Sequence, residues 1–288
     1  MHIKFEEKFN IKEYNAYRIN AICAKVWFPT NETELTTIYK ENRGKKKIFI
    51  IGNGNNIILS KEYYEEEFII LNGCFDTIEI AGVEINAESG ATLQELSQIA
   101  LENSLSGLEI FYDIPSSIGG AVVMNAGTKD GEISDILVKV RYLDLDDMQI
   151  KEIARGNIGF GYRKSFFHTH DNKIVLKTWL KLKRGNQDEI KNKMVQYKET
   201  RWAKQPREYP NCGSVFKRPP GRFVGPMLDE LGMKGFTIGG ARISKKHSGF
   251  IVNTGDATGQ DILDIIRETQ KRVKERFDVI LEVEQRII

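Results

Sequence analysis

Apolar positions in roughly the first 190 residues come in short runs rich in β-branched side chains, interrupted twice by segments with helical spacing. Residues 47–51, 67–71, 78–80, 83–87, 121–125, 136–144 and 174–182 read as strands. Asn31 with Glu34 three residues on, and Thr92 with Glu95, match the capping-box spacing, and each predicts a helix start. In the second of these helices Leu93, Leu96, Ile99 and Ala100 share a face, a stripe that belongs in a core and carries no chemistry. Asn186 with Glu189 opens a third helix that stays polar from Lys191 to Arg201, and this charged segment is taken as a hinge between domains. A short helix is expected over 226–231, a turn at Gly239 and Gly240, and a long helix from about Thr258 to Phe277 that buries Ile262, Ile265, Ile266, Val273 and Phe277. An alternating strand over 279–288 follows, with Glu282, Glu284 and Arg286 on one face.

Three loops between these elements are candidates for chemistry. Gly52-Asn53-Gly54-Asn55-Asn56 follows an apolar strand and begins like a dinucleotide fingerprint, in which glycines let backbone N–H groups converge on phosphate. The fingerprint fails at Ile57, where its third glycine would stand, and 57–59 looks extended rather than helical, so a Rossmann domain is not expected. The loop suits either a diphosphate held by amides or a plain tight turn. In 114–127, Pro115, Ser116 and Ser117 set a turn before Gly119, Gly120, Ala121, Asn125 and Gly127; small side chains along an extended stretch would let a planar ring system lie against main chain. The third loop, 205–217, presents Ser214 after Gly213, beyond Pro206 and Pro210 and beside the cationic Lys217. Two small-residue loops about 60 positions apart favour a large nucleotide cofactor over two unrelated turns.

Composition narrows the classes. With 288 residues and 41% hydrophobic content the chain can bury a sizeable core, in one large domain or two modest ones. Its 42 basic and 40 acidic residues are interspersed, so no basic face for nucleic acid emerges. No apolar run approaches the roughly 18 residues of a membrane helix, and residues 1–7 lack the apolar core of a signal peptide, which makes a soluble cytoplasmic protein the expectation. Cys23, Cys74 and Cys212 are odd in number and far apart, without metal-site spacing, so they are expected as free thiols and Cys212 as no nucleophile. His168 and His170 read as a solvent-facing turn, with no metal assigned.

The order of 52–56, 114–127, Gly159-Phe160-Gly161-Tyr162-Arg163, 209–217, Lys246-His247-Ser248-Gly249-Phe250-Ile251-Val252-Asn253 and 281–286 resembles the UDP-N-acetylenolpyruvoylglucosamine reductase family over nearly the whole chain. The short spacing from Arg163 to Ser214 is similar to the type that lacks an inserted tyrosine-bearing loop. The resemblance implies an α+β protein: a two-part FAD-binding domain of the vanillyl-alcohol-oxidase/p-cresol-methylhydroxylase type over 1–190, with subdomains of about 1–60 and 61–190, then a smaller α/β substrate-binding domain over 191–288. It implies FAD as cofactor, NADPH as hydride source, and reduction of UDP-N-acetylglucosamine enolpyruvate to UDP-N-acetylmuramate for peptidoglycan, by a monomer with no nucleic-acid or membrane partner. It carries over catalytic roles to Arg163, Ser214 and Glu284. Ser214 would protonate the carbon next to the one that takes hydride, and Arg163 and Glu284 would stabilise the intervening enolate-like charge. Tyr162, Lys217 and Arg218 would bind substrate, the two cations on its diphosphate. His247 has no catalytic role in this reading.

The chain departs from the family pattern at Asn20 and Ala21, where paired glycines are usual, at Ser116, where glycine is usual, at Tyr112 and Asp113, and at Val283, which replaces a common proline. The changes at Asn20, Ala21 and Ser116 touch the expected flavin pocket, and all leave the three catalytic positions intact, so an active reductase is expected. The competing readings are a flavin oxidase of another alcohol or sugar and a non-catalytic nucleotide-sugar or flavin-binding protein.

Overall fold

The computed structural model describes residues 3–42 and 44–288; Met1 and His2, part of the segment read against a signal peptide, lie outside them, as does Arg43. Among the described residues there are seven α-helices: α1 (Glu32–Asn42), α2 (Leu93–Glu102), α3 (Ile118–Met124), α4 (Phe166–Thr169), α5 (Gln187–Lys204), α6 (Val224–Glu230) and α7 (Gly259–Phe277). The capping signal at Thr92 holds, and the structure adds one at Thr258 that the sequence reading did not single out. Thr92 caps α2 in a full box with Glu95, and Thr258 does the same for α7 with Asp261, each worth about 1 kcal/mol. At α1 the Asn31 side chain accepts from the Glu34 amide at 2.9 Å, while the Glu34 carboxylate reaches Thr30 rather than closing the box. None of these helices is long and apolar enough to cross a membrane.

The largest sheet is antiparallel throughout, in the spatial order Gln149–Ala154, Leu137–Asp144, Lys173–Lys181, Glu84–Glu88, Ile78–Ala81. Its side chains alternate between two cores. Val140, Tyr142, Val175 and Leu180 pack with Leu93, Leu96, Ile118 and Ala121, whereas Leu143, Ile174 and Leu176 pack with Leu35, Ile38, Ile69 and Phe75. Near Ile174 and Leu176 both faces are therefore buried. A parallel pair, Ile48–Ile51 beside Tyr63–Ile70 with Ile48 opposite Glu67, leads into the Gly52 loop. Another core gathers Tyr17, Ile58, Val215, Phe216, Ile243, Ile251 and the buried stripe of α7.

The chain divides into two compact units that interleave in sequence: 1–6, 25–53 and 66–200 in the first, and 7–24, 54–65 and 201–288 in the second. The boundary read near 190 falls inside α5, an unbroken helix that holds Ile190 and Met194 in the first unit's apolar contacts with Leu101.

Three element readings change. Residues 121–125 are not a strand: 118–124 form α3, N-capped by Ser117 and ended by Asn125 in the left-handed conformation. Ile118, Gly119, Ala121, Val122 and Met124 are buried and the outward positions are Gly120 and Val123, neither of them polar, so the run lacks the amphipathic period that separates a helix from a buried strand. The terminal strand shrinks to Arg286–Ile287, parallel to Ile57–Ile58, with an isolated bridge between Phe216 and Val283 upstream. Strands Phe5–Asn10, Ile22–Trp27 and Gln149–Ala154 have no counterpart in the sequence reading; the first is exposed along nearly all its length and so lacks an apolar face to betray it.

Candidate active site

In the first unit, two sequence loops that lie about 60 residues apart close on one another. A Cβ built on Gly52 would stand 2.1 Å from Ser117 Oγ, so only glycine admits this approach. Ser117 Oγ in turn accepts from Gly120 N at 3.3 Å, and Gly119 lies so close to Ser89 that a Cβ would meet Ser89 Cβ at 2.8 Å. Main chain is thereby brought to the surface at Gly120, which is exposed together with Pro115. Beside this junction Asn53 Oδ1 is buried without a hydrogen-bond partner, an arrangement that costs roughly 1–3 kcal/mol unless a ligand donor or water reaches it. A close-set glycine and serine backbone with an orphaned acceptor fits a large cofactor that carries its own donors. Ser116 is tied locally, its amide donating to Ile114 O at 2.8 Å and its hydroxyl to Ser117 O at 3.0 Å. Because 118–124 are helical, the stretch is not a flat extended surface; what it offers is the turn before α3 and that helix's first residues.

Asn125 ties this region to Arg163. It sits at φ 45°, is 1% exposed, and donates through Nδ2 to Glu132 Oε2 at 2.7 Å and Gly161 O at 3.1 Å while its Oδ1 accepts from Ser134 N at 3.2 Å. The Arg163 guanidinium then donates to Asn125 O at 3.3 Å and Gly127 O at 3.0 Å, and lies 5.2 Å from the centre of the exposed Tyr162 ring. Arg163 itself has φ 52°, a left-handed conformation that costs an arginine about 1–2 kcal/mol and is retained here by those bonds. A Cβ on Gly127 would stand 2.3 Å from Gly131 O, which explains its small size. Arg163, Tyr162, Asn125 and Gly127 thus form one cluster, with Glu132 as a member the sequence reading did not single out.

The second unit builds a different centre. Ser214 is exposed, bridged to Phe250, between the buried Cys212 and Val215. Glu284 N donates to Val215 O at 2.8 Å and Lys217 N donates to Glu282 O at 2.9 Å, so 214–217 and 282–285 run antiparallel and bring Ser214 and Glu284 onto neighbouring segments. Lys217 Nζ pairs with Glu282 at 2.5 Å, and Arg218 lies 4.6 Å from the centre of the Phe223 ring. Gly54, Asn55 and Asn56 belong to this unit as well. Gly54, at φ 63°, has Tyr14 O where a Cβ would stand and accepts from Ala16 N at 3.0 Å; Asn56 donates to Glu284 O at 3.3 Å and accepts from Arg286 N at 2.9 Å. Asn56 therefore holds the main chain at Glu284, a tie that nothing in the glycine-asparagine pattern announces. The extended continuation at 57–58 agrees with the failed dinucleotide fingerprint.

Two other titratable side chains lie in this unit, Cys212 and His247. Burial pushes the Cys212 thiol up to about 12, which leaves it an unreactive neutral group among the carbonyls of Gly54 and Ile57. Burial lowers His247 below its usual value; its Nδ1 accepts from Gly249 N at 3.1 Å and its ring meets Phe250 edge-on. His170 stacks on Phe166 at 4.3 Å, and no group of three metal-ligating side chains occurs among the described residues.

Comparison with known proteins gives this architecture its class and then its family. Residues 23–153 match the FAD binding domain, which makes the first unit's glycine and serine loops part of a flavoprotein. Residues 205–288, which carry Ser214 and Glu284, match the C-terminal domain of UDP-N-acetylenolpyruvoylglucosamine reductase. The reductase of Francisella tularensis subsp. tularensis is 40% identical over 284 residues, spanning 98% of this chain and 99% of that protein. That of Caldanaerobacter subterraneus subsp. tengcongensis is 39% identical over 96% of this chain and 91% of its own. The crystal structure of UDP-N-acetylenolpyruvylglucosamine reductase from Thermus caldophilus aligns with a TM-score of 0.84 at 34% identity, covering 100% of this chain and 99% of that one. The chain belongs to the UDP-N-acetylenolpyruvoylglucosamine reductase family, an α+β flavoprotein family.

Proposed function

We propose that the chain reduces UDP-N-acetylglucosamine enolpyruvate to UDP-N-acetylmuramate with NADPH as reductant, a step of peptidoglycan precursor synthesis and so of cell shape and division. The observation that carries this reading is the match to family members along 98% of the chain, on a scaffold that sets Ser214 and Glu284 on adjacent paired segments. Bound FAD would relay hydride from NADPH to the alkene carbon distal to the substrate carboxylate. Asn53 and the Gly52, Pro115–Ser117, Gly119–Ala121, Asn125 and Gly127 backbone are assigned to hold that cofactor, as are Gly54, Asn55 and Asn56 at the neighbouring turn. Portion 1–190 is assigned to FAD and 191–288 to substrate.

Hydride addition leaves an enolate, and the adjacent carbon must then receive a proton. Ser214 is assigned as that donor: its hydroxyl is a weak acid, but an enolate is a strong base, and a placed donor contributes about 10²- to 10⁴-fold. Arg163 is assigned to offset the negative charge as it spreads, and Glu284 to hydrogen-bond it when protonated or bridged by water. Lys217 and Arg218 are assigned to the diphosphate and Tyr162 to the sugar-nucleotide. Lys217 brings Glu282 with it, so its charge is partly compensated. We place the protein in the cytoplasm as a monomer with no nucleic-acid or membrane partner.

The test is an anaerobic half-reaction series on the purified holoenzyme: bleach the flavin with NADPH, then add the enolpyruvyl substrate. Reoxidation by that substrate supports the assignment. Reoxidation by oxygen alone identifies an oxidase, and a protein that cannot be loaded with FAD defeats both enzyme readings.

A further inference from the structure

Behind the exposed Ser214 lies a buried polar chain that none of the assigned roles uses. Gln285 is 3% exposed, and its Nε2 faces three consecutive carbonyls: Cys212 O at 3.1 Å, Gly213 O at 3.3 Å and Ser214 O at 3.3 Å. Its Oε1 accepts from the Tyr17 hydroxyl at 2.9 Å. Tyr17 is 0% exposed and is anchored from its own main chain, where Tyr17 O accepts from Asn253 Nδ2 at 2.8 Å. Burial, reinforced by Cys212 and opposed by the bond to Gln285, holds the Tyr17 phenol well above its ordinary value, so it remains a donor. An amide can be turned end for end, and a donor held against Oε1 decides the matter by leaving the NH₂ group toward the carbonyls.

Three adjacent carbonyls do not gather on one donor unless the dihedrals between them are set. Gly213 is the joint in this turn, at φ 76°, with no atom within 4 Å of a built Cβ to brace it. Its amide donates to Asn211 Oδ1 at 3.2 Å, and Val215 N donates to Gly249 O at 3.0 Å, fixing the two ends. The Gln285 amide fixes the middle, and with it the direction of the Ser214 Cα–Cβ bond.

We propose that Gln285, oriented by Tyr17, is the positioning residue for the Ser214 hydroxyl. This rests on the reading of Ser214 as proton donor. Misplacing a reacting group by about 1 Å can cost on the order of 10²-fold, which sets the scale of the effect.

The experiment compares Tyr17→Phe and Gln285→Leu, each with Ser214 present and in a Ser214→Ala background. It follows flavin bleaching by NADPH and flavin reoxidation by the enolpyruvyl substrate separately in the holoenzyme. The expected result is a reoxidation rate lower by about 10²-fold in Gln285→Leu and by several-fold in Tyr17→Phe, with bleaching and the substrate KM nearly unchanged. In the Ser214→Ala background both effects vanish, because there is no hydroxyl left to misplace. The same loss in both backgrounds, an equal loss in the bleaching step, or no loss in either variant overturns the proposal. Tyr17→Phe removes one oxygen and keeps the ring, so it carries the test if Gln285→Leu does not fold. Full reoxidation by Ser214→Ala alone removes Ser214 as donor, and that outcome is read before any Gln285 or Tyr17 variant is made.

Discussion

The Gly52–Ser117 junction and the Ser214 turn are both glycine-bearing loops, yet glycine serves opposite ends in them. At Gly52 the missing Cβ makes room for a hydroxyl that would lie 2.1 Å away, and φ is ordinary. At Gly213 there is open space where the Cβ would go, and what glycine supplies is a positive φ of 76°. The first loop is shaped by what packs against it, so its precision is steric. The second is shaped by hydrogen bonds, donated by Gln285 and accepted by Asn211 and the Gly249 carbonyl, so its precision is electrostatic and depends in part on a side chain about 70 positions away in sequence. A surface that holds a large cofactor needs close backbone over a wide area, whereas a proton donor needs one hydroxyl aimed well.

The largest expected effect separates the two regions most sharply. Ser214→Ala lowers the rate of reoxidation by the enolpyruvyl substrate by about 10²- to 10⁴-fold while FAD content and thermal midpoint stay near the parent, measured by flavin absorbance and a melt. Normal turnover in this variant removes the chemical half of the comparison. Next in size is Asn125→Ala in the first region. It strands the buried Ser134 amide, takes one of two donors from the Gly161 carbonyl, forces alanine into a left-handed conformation, and loosens the loop carrying Arg163. A loss of roughly 2–4 kcal/mol follows, read by denaturant unfolding, with activity falling as Arg163 loses its mooring. Asn125→Gly separates the contributions, since it keeps the backbone conformation and deletes only the side-chain bonds.

How much of this was legible in the sequence depended on whether a residue's environment is written near it in the chain. Helix α2 was readable because its capping residues and apolar stripe are local, and α7 because its stripe is. Helix α3 differs from the strand read there because its outward positions, Gly120 and Val123, are not polar, so the run shows no period. Ser214 stood out through the prolines and glycine around it, and its chemistry came from likeness to a family. Gln285 did not stand out, since none of its partners lies near it in the chain, and only the fold brings Tyr17 and three carbonyls to it. Asn53 could be named as a ligand candidate from its loop, but that its Oδ1 is buried and orphaned is a fact of packing.

Two glycine substitutions close the comparison on its own terms. Gly52→Ala must displace Ser117 Oγ, which is also the acceptor for Gly120 N at the start of α3, so the variant loses the cap as well as the fit. The expected cost is about 1–3 kcal/mol together with weaker FAD retention through gel filtration. Adding Ser117→Ala to the same chain recovers part of the packing cost and none of the cap.

Gly213→Ala meets no atom, so its cost is conformational only: about 1–2 kcal/mol for alanine held left-handed. If the hydrogen bonds to the 212–214 carbonyls are strong enough to hold that strained alanine, the variant binds FAD fully, melts a few degrees lower and keeps Ser214 aimed. If they are not, the turn relaxes toward negative φ, stability is largely regained, and reoxidation by substrate slows instead. The sign of the trade between melting temperature and reoxidation rate therefore measures whether side-chain amides or glycine's freedom dominates the shape of the Ser214 turn. A variant that loses FAD rather than either quantity would show that the two loops are not separable in the way their geometry implies.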